Sequence, residues 1–318
     1  MFDHILVPLD GSALAECVLP HAVALARAFE SRLTLLQVLE HPSSSSQTRP
    51  VDAVDWHFGK AEARRYLDEI TTRLRETGLR TENTLLEGQA AERIIEFARD
   101  QDANLIVLSS HGRSGLSGWN VSSVVQKIIL RACIPIMIVR AYQPETRNLT
   151  GLRYRRLLVP LDCSQRAECV LPFAVTLARH SESQLLLTHL VCRPPMVRRV
   201  PPVQEDVELV DQIVERNRLA AVKYIEELRS RLPLDTETRL LVSDNVAGAL
   251  HELVEQESVD LVVLSAHGYS GGTKWPYGTV AISFISFGAT PLLVIQDLAP
   301  DEVKRTPAEM AAKEYKGH

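Results

Sequence analysis

Short apolar runs recur along the chain, each closed by a turn signal and followed by a longer segment with apolar residues at helical spacing. Ile5–Leu9, bounded by Asp10-Gly11-Ser12, has the pattern of a buried strand ending in a turn. Ser12 can cap a following helix whose apolar residues include Leu14, Val18, Val23, Leu25 and Ala26. Leu33–Leu39 predicts a second strand, the Ser- and Pro-rich stretch 41–55 a loop, and residues 58–77 an amphipathic helix. Strands over Thr81–Leu86, Leu105–Ser109 and Pro135–Val139 then alternate with helices over Ala90–Arg99 and Val121–Arg131. After a polar connector, Gln143–Gly151, the order starts again, with a Pro-rich loop at 193–202 and a helix near 206–231.

The second half repeats the first in sequence as well as in pattern. LVPLDGSALAECVLPHAVALAR (6–27) lies over LVPLDCSQRAECVLPFAVTLAR (158–179) with 17 of 22 positions identical and an offset of 152. LIVLSSHG (105–112) lies over LVVLSAHG (261–268), and IPIMIV (134–139) over TPLLVI (290–295), both at an offset of 156. The four extra residues are expected in a loop after the second strand. Each copy is long enough for its own core, so the chain divides into domains over 1–143 and 152–297. A charged stretch, Asp297–His318, closes it, with 298–318 as a tail outside the second domain. Alternating β and α elements with near-continuous apolar strands predict an α/β fold, a parallel sheet covered by helices on both faces. Such sheets bind ligands at the carboxyl ends of their strands, near the topological switch point.

Composition narrows the classes further. A net charge of -5 and a pI near 6.1 argue against a non-specific nucleic-acid binder. No apolar run approaches the roughly 18 residues of a membrane span. The opening MFDHILVPLDGS lacks the basic region and long apolar core of a signal peptide. Five cysteines without a CxxC pair fit a reducing compartment, and a cytoplasmic location is expected. Cys17 and Cys169, on the apolar side of a predicted helix, are expected as small core residues. The set Cys163, Cys169, His189 and Cys192 matches no metal motif.

Two features carry chemistry. Asp10 and Asp162 follow the first strand of each copy, where a carboxylate can accept hydrogen bonds from a ligand amine or ribose, or cap the turn itself. Further on, Ser265-Ala266-His267-Gly268 is followed by nine residues and then Gly278-Thr279; Ser109-Ser110-His111-Gly112 is followed by nine and then Ser122-Ser123. A glycine, backbone N–H groups and a helix N-terminus make an anion cradle, and the hydroxyls of Thr279 and Ser123 can bond phosphate or a metal ion such as Mg2+. A turn with an N-cap would need only one Ser or Thr. His111 and His267 are expected to orient the loop, with phosphate contact as the alternative.

These motifs resemble the universal stress protein family over essentially all of both halves. The resemblance implies two tandem five-stranded Rossmann-like domains and, from the pattern G-x-x-G, nine residues, G-[S/T], ATP as ligand. It implies adenine contacts at Asp10 and Asp162, with Val38 and Leu190 assisting and Pro8 and Pro160 beside them. Ribose and phosphate grips fall on Gly112, Ser122 and Ser123, and on Gly268, Gly278, Thr279 and Val280. It also implies an intrachain pseudo-dimer through the last strands, Pro135–Val139 and Pro291–Ile295, with further pairing of chains left open. Ser109 and Ser265 replace the first glycine, a mild change if φ stays negative. Ser122 faces Gly278, where a Cβ would crowd a phosphate. Arg113 is available to phosphate in the first copy; the second has Tyr269 there and Lys274 nearby. The second copy is therefore expected to bind more tightly.

A Walker loop, the GxGxxG fingerprint and a two-metal acidic cluster are all missing. Three functions remain: an adenine-nucleotide-binding stress-response regulator with little turnover and no enzymatic role, an interaction scaffold with empty pockets, and a slow ATPase.

Overall fold

The computed structural model describes residues 1–40, 53–112, 121–141, 148–194, 203–269 and 276–297. In the first repeat the elements are β1 (His4–Pro8), α1 (Ala13–Glu16), α2 (Leu19–Phe29), β2 (Arg32–Leu39), α3 (Ala53–Glu76), β3 (Thr81–Glu87), α4 (Ala90–Asp100), β4 (Leu105–Ser109), α5 (Ser123–Ala132) and β5 (Ile136–Val139). The second repeats them as β6 (Arg156–Leu161), α6 (Gln165–Glu168), α7 (Leu171–Ser181), β7 (Gln184–Val191), α8 (Gln204–Arg231), β8 (Thr236–Val242), α9 (Val246–Gln256), β9 (Leu261–Ser265), α10 (Thr279–Phe287) and β10 (Leu292–Ile295). Within the first repeat the strand order is β3-β2-β1-β4-β5 with parallel pairing throughout. Within the second it is β8-β7-β6-β9-β10.

The apolar runs fail to alternate because their strands are covered on both faces: Ile5, Leu6 and Val7 in β1 and Leu105, Ile106 and Val107 in β4 are fully buried. The order reverses between β1 and β4 and again between β6 and β9, which puts a switch point at the carboxyl end of each sheet. There β1 pairs with β4 over Ile5–Leu105 and Leu6–Ile106, and β6 with β9 over Leu157–Leu261 and Leu158–Val262. Past those pairs the strands part. Pro8 and Pro160 stand just beyond, where a missing N–H leaves no ladder bond unmade.

Two expectations change. The single helix expected after Ser12 is two, α1 and α2, broken at Cys17-Val18. Pro20, near the start of α2, has no N–H for a carbonyl one turn back, and its ring would crowd that carbonyl; Pro172 does the same in the second repeat. Cys17 and Cys169 therefore become helix-end residues and are half-buried rather than core. The extra residues of the second repeat fall after the second strand, as expected, but not all of them in a loop. Three of the four enter between β2 and β3, where α3 is described over 24 residues and α8 over 28, and the last enters the turn before α9.

The turn after β1 needs a left-handed residue, Gly11 with φ 78°. Its counterpart Cys163 adopts φ 67° with a Cβ in place, a conformation that costs an L-residue about 1–2 kcal/mol. Replacing Cys163 by Gly relieves that strain at the expense of some unfolded-state entropy. The variant is expected to gain about 0.5–1 kcal/mol, seen as a higher urea midpoint; a lower midpoint would contradict the strain.

Candidate functional site

Where the strands part, a carboxylate bridges them. Asp10 Oδ1 accepts from the Ser12 amide at 3.0 Å and its hydroxyl at 2.6 Å, and Asp162 Oδ1 accepts from Ser164 at 3.1 and 2.6 Å. The other oxygen reaches across to the loop after β4 or β9. A Cβ on Gly112 would collide with Asp10 Oδ2, and one on Gly268 with Asp162 Oδ2. The Tyr269 amide donates to Asp162 Oδ2 at 2.5 Å. Neither Gly112 nor Gly268 has positive φ, so close approach of a carboxylate, not backbone freedom, demands glycine there. The capping role weighed for Asp10 and Asp162 is thus made, and it extends into a clamp on the motif glycine.

The serines at the first motif position shape the same loop. Ser265 Oγ donates to the His267 carbonyl at 2.5 Å, and Ser109 Oγ lies 2.6 Å from the His111 carbonyl and 2.9 Å from that of Leu14. Both keep negative φ. The histidines are buried and oriented, but by different partners. His111 Nδ1 is 3.1 Å from Ser110 Oγ, which also accepts from the Ala141 amide at 3.0 Å. His267 Nδ1 is 2.8 Å from Asp297 Oδ1, and Arg166 Nε donates to Asp297 Oδ2 at 2.5 Å. Asp297, expected at the head of the charged tail, is buried with a side chain 1% exposed. The repeats hold the missed signal: Ser110, Ala141 and Leu14 in one stand opposite Ala266, Asp297 and Arg166 in the other, three differences that compensate in space.

Burial would raise the Asp297 carboxyl, but the hydrogen bonds from His267 and Arg166 outweigh it and hold the group below the usual carboxylate range. Burial, and then the Asp297 charge, push the Cys169 thiol up to about 12, which leaves it unreactive.

A cavity of about 380 Å³ opens above the first switch point, and the predicted residues Pro8, Asp10, Val38, Ser109, Gly112, Ser122 and Ser123 all line it. One of about 1710 Å³ opens above the second, lined by Pro160, Asp162, Leu190, Ser265, Gly268, Gly278, Thr279 and Val280. Arg113 and Lys274 lie outside the described residues. Backbone alternation explains Val38 and Leu190. In β2 the Arg32 amide and Leu36 carbonyl bond toward β1, whereas the Leu33 amide and Leu39 carbonyl bond toward β3. Val38 is the next residue on the β1 side, past the last β1 partner, so its N–H and C=O face the gap. In β7 the Gln184 amide bonds toward β6 and the Val191 carbonyl toward β8, which places Leu190 alike.

The helix starts differ. The amides of Ser122 and Gly278 are both taken, by Ser110 O at 2.8 Å and Ala266 O at 2.7 Å. Ser122 Oγ caps α5 by accepting from the Val125 amide at 3.3 Å, whereas Gly278 offers α10 no side-chain cap. A Cβ on Gly278 would meet Ala266 O at 3.4 Å, which the protein itself can accommodate. Glu40 and Gln37, neither anticipated, line the first cavity, and Glu40 Oε1 accepts from the Ala90 amide at the start of α4 at 2.8 Å. Their counterparts Cys192 and His189 line the second. Cys163 Sγ lies 3.6 Å from His189 Nδ1, but among the described residues no three His, Cys, Asp or Glu side chains come together as a metal site.

The universal stress protein family model matches residues 1–140 and 153–296. The chain belongs to that family. The universal stress protein YxiE of Bacillus subtilis is 30% identical over 148 residues, spanning 44% of this chain and all of YxiE. Mb2028c of Mycobacterium bovis is 27% identical over 193 residues, 61% of this chain and 62% of its own. Among solved structures, a universal stress protein from Archaeoglobus fulgidus shares the fold with a TM-score of 0.66 at 16% identity, covering 93% of this chain and 98% of its own. PA1789 of Pseudomonas aeruginosa, described as functionally unknown, gives 0.65 at 14% identity, covering 99% and 98%. No described helix is long and apolar enough to cross a membrane.

Asp297→Ala removes the carboxylate that a buried His267 and a part-buried Arg166 share. It is expected to cost about 2 kcal/mol by chemical denaturation. A carboxyl held below its unfolded value contributes stability above that value and loses it as pH falls through the folded one. The gap between wild type and variant should therefore be full above about pH 4 and close below it; a gap that widens on acidification would refute the pairing.

Proposed function

We propose that the second-repeat cavity binds an adenine nucleotide, ATP, and that the protein is a stress-response regulator acting by binding, with little or no turnover. One observation carries this reading: among the described residues no side chain caps the start of α10, where Gly278 stands beside the exposed Thr279 at the cavity wall. An anion there would complete the cap that Ser122 supplies in the first repeat. Leu190 presents an adjacent N–H and C=O to the edge of a base, and the volume exceeds what a triphosphate needs. Thr279 Oγ is the group placed to touch a phosphate oxygen or its Mg2+. Two titratable residues of the motif loops are committed to the scaffold, His267 to Asp297 and Asp162 to Ser164 and Tyr269, which leaves neither poised to activate water.

Titration of ATP into the full chain should show binding that Gly278→Ala weakens about tenfold or more while the melting temperature holds, because the added Cβ clears the protein but crowds a phosphate. Thr279→Val should weaken it by a similar factor, about 1.4 kcal/mol. Absence of heat up to millimolar ATP would sink the reading, and phosphate release lost in Asp162→Ala would establish turnover instead.

A further inference from the structure

The long helix of the second repeat carries an apolar face along its whole length, and its own domain uses only half of it. α8 has 28 residues, packs on β7 and β8, and buries Ala221, Ile225 and Leu228, all in its C-terminal half. Val207 and Val210 precede Ile225 and Leu228 by 18 residues each, about five turns, so they stand on the same face of the helix. Val214 and, at the N-cap, Val203 fall on that face as well. None of the 17 residues of α8 ahead of Ala221 is buried, a length of about 25 Å. Over that length Val203 is 58% and Val207 42% exposed, and Val210 and Val214 are half-buried. The stripe that seats the helix on its sheet therefore continues, at the same spacing, past the last residue that the sheet covers.

Spacing and charge together select the partner. Val203, Val207, Val210 and Val214 recur at intervals of four, three and four, the heptad spacing of paired helices. The rims of the stripe are acidic: every charged residue from Gln204 to Glu215 is an Asp or a Glu. In a parallel pair with a second copy, Asp206 of one helix would face Asp211 of the other. An antiparallel pair sets Val203 against Val214 and Val207 against Val210, four apolar layers in all, and its rims place Gln204 beside Asp211 and Asp206 beside Ile213. Gln204 Nε2 donates to Glu208 within its own helix at 2.9 Å and keeps a second N–H for the Asp211 carboxylate of the other copy. No acid then faces an acid, and the helix dipoles are opposed. The face is complementary to itself, as an isologous contact requires. We propose that the N-terminal half of α8 is a docking surface for the same half of α8 in a second copy of the chain, paired antiparallel. Four layers over so short an overlap make a small contact, so the dimer is weak and concentration-dependent.

Analytical ultracentrifugation of the full chain at low salt, without nucleotide, tests the docking face alone. A monomer–dimer equilibrium is expected, half-formed at about 10–100 µM, the weak range of small interfaces. Val207→Glu places a charge in a central layer and should weaken association about tenfold or more, while the helical signal and melting temperature hold because the side chain faces solvent. Gln204→Lys should tighten it several-fold by facing Asp211, and adding Asp211→Lys should abolish that gain by setting two ammonium groups together. In a parallel pair the pattern reverses, and Asp211→Lys alone tightens association by facing Asp206. A chain that stays monomeric up to about 200 µM, well above the expected midpoint, overturns the proposal. So does a dimer that Val207→Glu leaves intact, or one that Asp211→Lys tightens and Gln204→Lys does not.

Discussion

A carboxylate set against a glycine holds the switch point together in each repeat. Parallel strands that part beyond two residue pairs have no further ladder bonds with which to fix their outgoing loops. Asp10 and Asp162 take the place of those bonds, one oxygen hydrogen-bonded to the serine that starts the next helix and the other packed against the motif glycine of the loop after β4 or β9. The serine in turn caps that helix, so strand, turn, helix and cradle loop are positioned through one side chain. An unpaired carboxylate among largely apolar strand ends would be costly, and here its hydrogen bonds stay within the structural frame. Any ligand above the strands meets a loop already set in place.

The same clamp shows why some of this architecture was legible in the sequence and some was not. Buried strands advertise themselves through unbroken apolar runs, and the turn after β1 through Asp-Gly-Ser, because burial and backbone conformation act on the residues that display them. The spacing of the cradle was legible for a similar reason, since a loop and a helix start must be joined by a fixed length of chain. The partner of the glycine was not, because Asp10 and Gly112 lie about a hundred residues apart and each has a sufficient local explanation. Pro20 carried a local signal that was present and outweighed: the apolar period runs through it, while the missing N–H breaks the helix. Asp297 was hidden by its neighbours, a single buried acid at the head of a charged stretch.

Comparison of the two halves recovers part of what a single copy conceals. The histidine of the cradle is oriented in both, yet by a hydroxyl from the adjacent residue in one and by a carboxylate some thirty residues onward in the other. Ser110 with Ala141 and Leu14, or Ala266 with Asp297 and Arg166, each form a consistent set, and mixing them would bury an acid without its base or leave a histidine without an acceptor. Such sets change together because intermediates between them carry an unpaired buried group. Their divergence leaves the loop geometry alike while altering its electrostatics, and it makes the end of the last strand part of the second site.

The cavities carry the same logic outward. Where Ser122 and Glu40 supply acceptors to the helix starts of the first repeat, Asn245 does so for α9 in the second, and Gly278 has no side chain with which to do so for α10. In the second repeat His189 sets Nδ1 beside the Leu161 carbonyl, whereas the Gln37 Oε1 of the first has no hydrogen-bond partner among the described residues. The two pockets thus share a frame and differ in the polar groups on their walls. The frame fixed by Asp10 and Asp162 is held constant because strand, turn and helix all hang on it, while the wall residues above it are free to diverge.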